Sequence, residues 1–245
     1  MQDNIILLNQ IPSTQTYLLN ALNEREFDDY SVVASFNQTQ GKGQATHKWE
    51  SEKNKNISFS IVLKDKNILA QNQFQITQII SLAIVDMIKK YVKQDVYIKW
   101  PNDIYVKQNK ICGFLTQNKI IGNTIDISVC GIGINVNQTH FVFAPNPTSL
   151  CLETNKEYEL KSILNETISC IKQRFNALNE KEIERMQSEY LSLLLYRNIW
   201  KKYLYQNKEI EGKIVGVNSY GHLVFKTKDD KQHLANLTEI TFLHQ

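Results

Sequence analysis

Three short segments of this chain gather side chains suited to chemistry on an anion. The first runs Gln38-Thr39-Gln40-Gly41-Lys42-Gly43-Gln44-Ala45-Thr46-His47-Lys48-Trp49. Glycines at i and i+2 let the backbone approach a ligand closely and point amides at anionic oxygens. Lys42, Lys48 and His47 add positive character and Trp49 offers a flat stacking surface, so the segment reads as a nucleotide phosphate-and-base site. It is not a G-x-G-x-x-G loop, since Thr46 stands at the third glycine, and it is not a Walker loop. Taken alone, an ordinary surface loop is the better reading. The second segment is Lys99-Trp100-Pro101-Asn102-Asp103, followed by Lys110 and Gly113. It sets a cation, a rigid turn, an amide and a carboxylate at a strand end; a charged turn with a hairpin-edge lysine is the plain alternative. The third is Gly131-Ile132-Gly133-Ile134-Asn135-Val136. Glycines weaken a strand unless something packs closely on its backbone, which makes Asn135 a candidate for reading an adenine edge. The alternative is a bulged strand.

These segments need a scaffold. Asn4–Asn9 reads as a strand closed by Pro12, and Ser13 or Thr14 can cap a helix running to about Glu26. Ser31–Asn37 is β-rich, and Asn56–Leu63 alternates like a strand. Between Phe74 and Val92, Ile76, Ile79, Ile80, Ala83, Ile84, Met87, Ile88 and Tyr91 recur at helical spacing. Leu82 and Val85 widen that face, so the spacing predicts a mostly buried helix. Asp95–Lys99 is a strand. Residues 104–107 and 110–117 form a hairpin around Gln108-Asn109, and 119–121 and 124–135 flank a turn at Gly122-Asn123. Residues 145–158 read as irregular. Two amphipathic helices follow, one carrying Leu160, Ile163, Leu164, Ile168, Ile171 and Phe175, the other Ile183, Met186, Tyr190 and Leu194. From about Trp200, short strands and tight turns predict a small β-barrel. The mixed element order before it argues α+β, a mixed sheet with flanking helices. The expected division is 1–198 and 199–245.

Composition narrows the function. The 245 residues are 42% hydrophobic and 22% charged, which supports a sizeable core and excludes wholesale disorder. With 9 glycines and 4 prolines the chain is not linker-rich. A net charge of +3 gives no support for a nucleic-acid or membrane partner. The 4 cysteines form no C-x-x-C pair, which favours reduced thiols in a cytoplasmic protein. The 5 histidines lack metal-ligand spacing, so no protein metal site is expected. No apolar run approaches the roughly 20 residues of a membrane span, and with no basic start followed by an apolar stretch, no signal peptide is expected.

Taken together, Ser13-Thr14-Gln15, the 38–49 loop, Lys99–Asp103 with Lys110-Ile111-Cys112-Gly113, and Gly131–Asn135 resemble the biotin protein ligases, in that family's order. The likeness covers essentially the whole chain, including Gly212–Phe225 in an SH3-like barrel. Lys99–Asp103 followed by Lys-x-x-Gly is its most specific piece. The resemblance implies a catalytic domain like those of class II aminoacyl-tRNA synthetases plus that C-terminal SH3-like barrel. It implies that biotin and ATP, with Mg²⁺, give biotinyl-5′-AMP and pyrophosphate. The biotin then passes to a lysine of a biotin carboxyl carrier domain of a carboxylase. By the same resemblance Ser13, Thr14, Gln15 and Gln38 bind biotin's head group. Gly41, Lys42, Gly43 and Gln44 close over its carboxylate and the phosphate, and Lys110 contacts both. Trp49, Asn102 and Asn135 meet the adenylate, and Lys110, Asp103 and Lys42 are the catalytic candidates. Some members carry an N-terminal DNA-binding domain; with a first strand near Asn4, the short form without it is expected. Exposed strand edges leave pairing with a second subunit, as a homodimer, or with the carrier domain both open.

The family loop usually reads G-R-G-R-x-G-R-x-W. Here Lys42, Gln44 and His47 replace its arginines, Thr46 replaces a glycine, and Gln15 replaces an asparagine. Lys42 keeps charge without the bidentate fork and Gln44 loses the charge, which predicts a looser grip on the adenylate. Two alternatives share the fold or the ligand. A lipoate or octanoate transferase would carry an R-R-x-x-G-G-G-type loop, absent here, and a biotin-binding module would have lost adenylation. The implied first step needs no general base, because carboxyl groups titrate near ~4. It needs two anions brought in line and their repulsion cancelled, by Lys110, loop amides and Mg²⁺. The second needs a neutral amine from a lysine of pKa about 10.4, which Asp103 is placed to orient or deprotonate.

Overall fold

A computed structural model describes residues 4–44, 48–64 and 67–243. The chain runs β1 (Ile5–Leu8), α1 (Thr14–Ala21), β2 (Val32–Ser35), β3 (Ile57–Lys64), α2 (Phe74–Lys89), β4 (Val96–Lys99), β5 (Asp103–Val106), β6 (Asn109–Ile121), β7 (Thr124–Ile134), α3 (Leu150–Thr154), α4 (Leu160–Asn176) and α5 (Glu180–Ser192). Then come β8 (Trp200–Tyr205), β9 (Lys208–Val217), β10 (Leu223–Thr227), β11 (Gln232–Ala235) and β12 (Ile240–Phe242). Seven strands form one sheet in the order β1-β2-β3-β7-β6-β5-β4, parallel only between β1 and β2. The last five form an antiparallel sheet ordered β11-β10-β9-β8-β12. The α+β expectation holds. No described helix is long and apolar enough to cross a membrane.

The two faces of the large sheet differ because β3 alternates strictly. Ile57, Phe59, Ile61 and Leu63 turn to the face under α2 and join the main core. Ser58 and Ser60 turn to the other face. Ser58 pairs with Gly133 and Gly133 with Gly113, while Ser60 pairs with Gly131 and Gly131 with Leu115. A floor of mostly small residues therefore crosses β3, β7 and β6 on the face that carries α1. Beside it, Leu18 of α1 packs with Val33, Val62, Val129 and Phe27 and so fixes the start of that helix. On the opposite face α2 is covered by α4 and α5. Arg174 clamps those helices together, donating to both oxygens of Asp86 and both of Glu189 at 2.7–2.9 Å.

The C-terminal sheet shares the main core through Tyr203, Ile214, Leu223, Phe225, Ala235 and Ile240. Trp100 Nε1 donates to the Gly221 carbonyl at 2.9 Å. Gly221 has φ +90°, and a Cβ there would lie 2.6 Å from the Phe74 ring, so the turn requires glycine. The buried Tyr190 hydroxyl donates to the Pro101 carbonyl at 3.1 Å, and the Trp100–Pro101 peptide is cis. The 99–103 segment is thus held between helices and the second sheet.

Several boundaries differ from the sequence reading. The first helix ends at Ala21 rather than near Glu26, because residues 23–26 are polar and exposed and have no face to pack. The first hairpin turns at Lys107-Gln108, one residue early, with Lys107 in the left-handed region at φ 54°. The runs 110–117 and 119–121 are one strand, β6. Residues 145–158 contain α3, capped by Ser149 accepting from the Leu152 amide.

Candidate active site

A cavity of about 530 Å³ lies over the small-residue floor, a size typical of small-molecule sites. Its first end is built around α1. Ser13 caps the helix by accepting from the Thr16 amide at 3.3 Å. The Thr14 amide donates to Gln38 Oε1 at 3.0 Å, and the Thr14 hydroxyl lies 2.9 Å from the Ser60 hydroxyl. Gln15 Nε2 donates to the Leu115 carbonyl at 3.1 Å. Its side chain lies flat over Gly131, where a Cβ would come within 3.0 Å of it.

The second end sits two residues along β7, roughly 7 Å away at strand rise. Here the Trp49 indole covers Gly133 so closely that a Cβ would fall 2.5 Å from its ring. Trp49 is placed by a loop closure in which its amide donates to the Gly41 carbonyl at 3.0 Å. Asn135 Nδ2 donates to the Thr148 carbonyl at 2.9 Å. Asn135 Oδ1 and Trp49 Nε1 are buried without a partner among the described residues. Buried polar atoms are ordinarily satisfied, so both are groups a ligand would complete.

At the same level Lys110 Nζ lies 2.7 Å from Asp103 Oδ1 and 5.7 Å from the Trp49 ring centroid. Gly113 leaves room for this pair: a Cβ there would come within 3.1 Å of both side chains. The Lys110 backbone is anchored separately, its amide donating to the Asn146 carbonyl at 2.7 Å. Asn102 Nδ2 donates to the Phe114 carbonyl, and Gln44 Nε2 donates to Asn102 Oδ1 at 2.8 Å. Gln44 therefore ties the glycine loop to the 99–103 segment.

Of the residues picked from the sequence, Ser13, Thr14, Gln15, Gln38, Lys42, Gly43, Gln44, Trp49, Asn102, Asp103, Lys110 and Asn135 all line this cavity. Gly41 is buried and does not line the space; a Cβ there would lie 2.8 Å from the Trp49 carbonyl oxygen, so it shapes the loop. His47 and Thr46 lie outside the described residues. Four lysines (42, 48, 99 and 110) face two carboxylates, Glu50 and Asp103, which makes the cavity electropositive. Burial pulls the Lys99 ammonium below its ordinary value, and Asp103 partly offsets that.

Sequence reasoning missed two features. Glu50 accepts from the amides of Val142, Phe143 and Ala144 at 2.6, 3.0 and 3.0 Å. Burial raises its pKa, but these three donors outweigh it and hold the carboxyl below its ordinary range. The contact joins residues more than 90 apart, and nothing local announces it. The second feature is a wall contributed by Leu237, Ile240, Thr241 and Phe242 of the C-terminal sheet. Among the described residues no three His, Cys, Asp or Glu side chains converge as a metal cage, and all four cysteines are free.

Known proteins share this architecture. Residues 7–135 match the model of the biotin/lipoate A/B protein ligase family. The "bifunctional ligase/repressor BirA" of Bacillus spizizenii is 26% identical over 235 residues, covering 94% of this chain and 71% of that protein. The "biotin--[acetyl-CoA-carboxylase] ligase" of Mycobacterium tuberculosis is 26% identical over 145 residues, 58% of this chain and 52% of that one. Among solved structures, a biotin protein ligase from Aquifex aeolicus in complex with biotin and ATP superposes with TM-score 0.80 at 25% identity, over 100% of both chains. With more than half of its length matched by the family model, the chain belongs to the biotin/lipoate A/B protein ligase family.

Proposed function

We infer that the protein is a biotin protein ligase, which joins biotin to AMP with release of pyrophosphate and then passes the biotinyl group to a protein lysine. The observation that carries this is the two-ended floor: an amide-and-hydroxyl end at Gly131 and an aromatic end at Gly133, with the Lys110 ammonium at the second level. Biotin's ureido head group suits Thr14, Gln15 and Gln38, and its tail then runs toward Lys110. Adenine suits Trp49 and the unpaired acceptor of Asn135.

In the first step a biotin carboxylate oxygen attacks the α-phosphorus of ATP, and the bond to the bridging β-oxygen breaks. The carboxylate is ionised near neutrality, so the protein's task is to cancel charge and align. Lys110 lies between the two anions, with Lys42 and the amides of Gly43 and Gln44 over them. Mg²⁺ would arrive on the triphosphate, as is usual for an ion that keeps several waters and takes few protein ligands. In the second step the neutral acceptor amine attacks the activated carbonyl, gives up a proton to water, and AMP leaves; Asp103 serves the first step by holding the Lys110 ammonium at 2.7 Å. The acceptor is a biotin carboxyl carrier domain, which docks at the cavity mouth. Residues 199–245 act as the wall of the nucleotide end.

Lipoate and octanoate chemistry is not favoured, because the loop lacks the R-R-x-x-G-G-G pattern. The test is pyrophosphate release from ATP with biotin, lipoate or octanoate in parallel. Release with biotin alone supports the reading; release only with the fatty acids, or with none, overturns it.

A further inference from the structure

We propose that Lys99 is a second catalytic cation, which binds the β- and γ-phosphate oxygens of ATP and carries the charge that develops on the leaving pyrophosphate. This rests on the ligase reading above. Lys99 ends β4 opposite Asp103 in the β4–β5 register and lines the main cavity. Asp103, the carboxylate across from it, is committed to Lys110 at 2.7 Å. Among the described residues no other carboxylate lies within ion-pair distance of the Lys99 ammonium. Its polar partner is the Tyr105 hydroxyl at 3.4 Å, and it rests over the rings of Tyr105 at 5.4 Å and Phe242 at 5.2 Å. A half-buried ammonium whose nearest carboxylate is already paired with another lysine is only partly compensated, and an incoming anion would complete it.

The surroundings say which anion. Lys99, Tyr105 and Phe242 also line an adjoining cavity of about 130 Å³ between the two sheets. That space holds Lys201 and Lys202; Lys202 is paired with Glu209 at 2.7 Å, while Lys201 lies over the Tyr196 ring at 4.8 Å. The cationic character therefore continues past Lys110, away from biotin's end and toward the C-terminal sheet. A triphosphate whose α-phosphorus is at Lys110 has two further phosphates to place, and Lys99 is the next cation. When the α–β bond breaks, the electron pair goes to the bridging oxygen and charge grows on pyrophosphate. Lys99 would stabilise that charge by hydrogen bonds, without giving up a proton.

The two half-reactions separate this role from a structural one. Pyrophosphate release on mixing with biotin and ATP reads the first, and transfer from synthetic biotinyl-5′-AMP to a carrier domain reads the second. Lys99→Met should slow the first by about tenfold or more and raise the KM for pyrophosphate in the reverse reaction, the loss expected of one charge-assisted contact. Transfer from the synthetic adenylate should stay within about twofold of wild type, and Lys99→Arg should recover part of the first step. Should the methionine variant not fold, the arginine variant and Lys99→Gln carry the same comparison. Unchanged pyrophosphate release, or equal loss in both half-reactions, overturns the role of Lys99 alone. A wild-type protein that releases no pyrophosphate overturns the ligase reading and this inference with it.

Discussion

Asp103 Oδ1 and Lys110 Nζ form an ion pair at 2.7 Å across the β5–β6 hairpin, with both side chains about a quarter exposed. The pair bears on which step the carboxylate serves. A carboxylate already holding an ammonium is best placed to aim that ammonium at the two anions. Asp103→Asn should therefore slow adenylation by about tenfold or more, the worth of a charge-assisted hydrogen bond. Transfer from preformed biotinyl-5′-AMP should fall much less. Single-turnover rates of the two half-reactions check this; a defect confined to transfer would make Asp103 the acceptor's base instead.

The floor of the cavity makes a paired prediction. A methyl at Gly131 would press on Gln15, and one at Gly133 would press on Trp49. Gly131→Ala should raise the KM for biotin and Gly133→Ala the KM for ATP, each by roughly fivefold or more, from overpacking costs of that scale. The two substitutions sit two residues apart on one strand, so steady-state kinetics with each substrate varied tests the assignment of the ends. A common defect in both constants would argue for a general distortion of β7.

Gln44 stands where the related loop carries an arginine, and its place in the structure gives it a second part. Its amide donates to Asn102, so it latches the loop as well as lacking charge. Gln44→Ala should let more adenylate escape and raise labelling of an unrelated lysine-rich protein by about two- to tenfold, the range for one neutral hydrogen bond. Avidin blotting reads this. No rise over wild type would mean that the latch does not retain the adenylate.

Glu50 clasps three consecutive amides and directly follows Trp49, so it positions the indole. Glu50→Gln should weaken ATP several-fold while leaving biotin affinity and the melting temperature near wild type, as expected for an exposed-rim contact. The sign with pH follows from the lowered pKa of the folded state. The clasp is intact at neutral pH and fails only as pH falls through that lowered value. Nucleotide affinity by calorimetry at neutral pH, wild type against variant, is the check.

Much of this site was legible because its residues occur in contiguous runs with distinctive types: 13–15, 38–49, 99–103 and 131–135. The strongly periodic elements, α2 and β3, were equally plain. What escaped was set by long-range packing. The role of Glu50 depends on a loop 92 residues away, and that of Phe242 on a second sheet folding against the first. The split of β6 into two runs came from its outer half. Beyond Gly113 it has no β5 neighbour, and from Gln117 onward it is largely exposed, so the alternation fades. The five-residue α3 was too short for a periodic signal, and only its Ser149 cap distinguishes it.

In the proposed mechanism the Lys110 ammonium neutralises two mutually repelling anions so that they can join. Biotinyl-5′-AMP formation by Lys110→Ala, followed by rapid quench with saturating biotin and ATP, tests it most directly. A fall of about a hundredfold or more is expected, from loss of charge-assisted contacts to both anions. Formation at a rate within about twofold of wild type would contradict it.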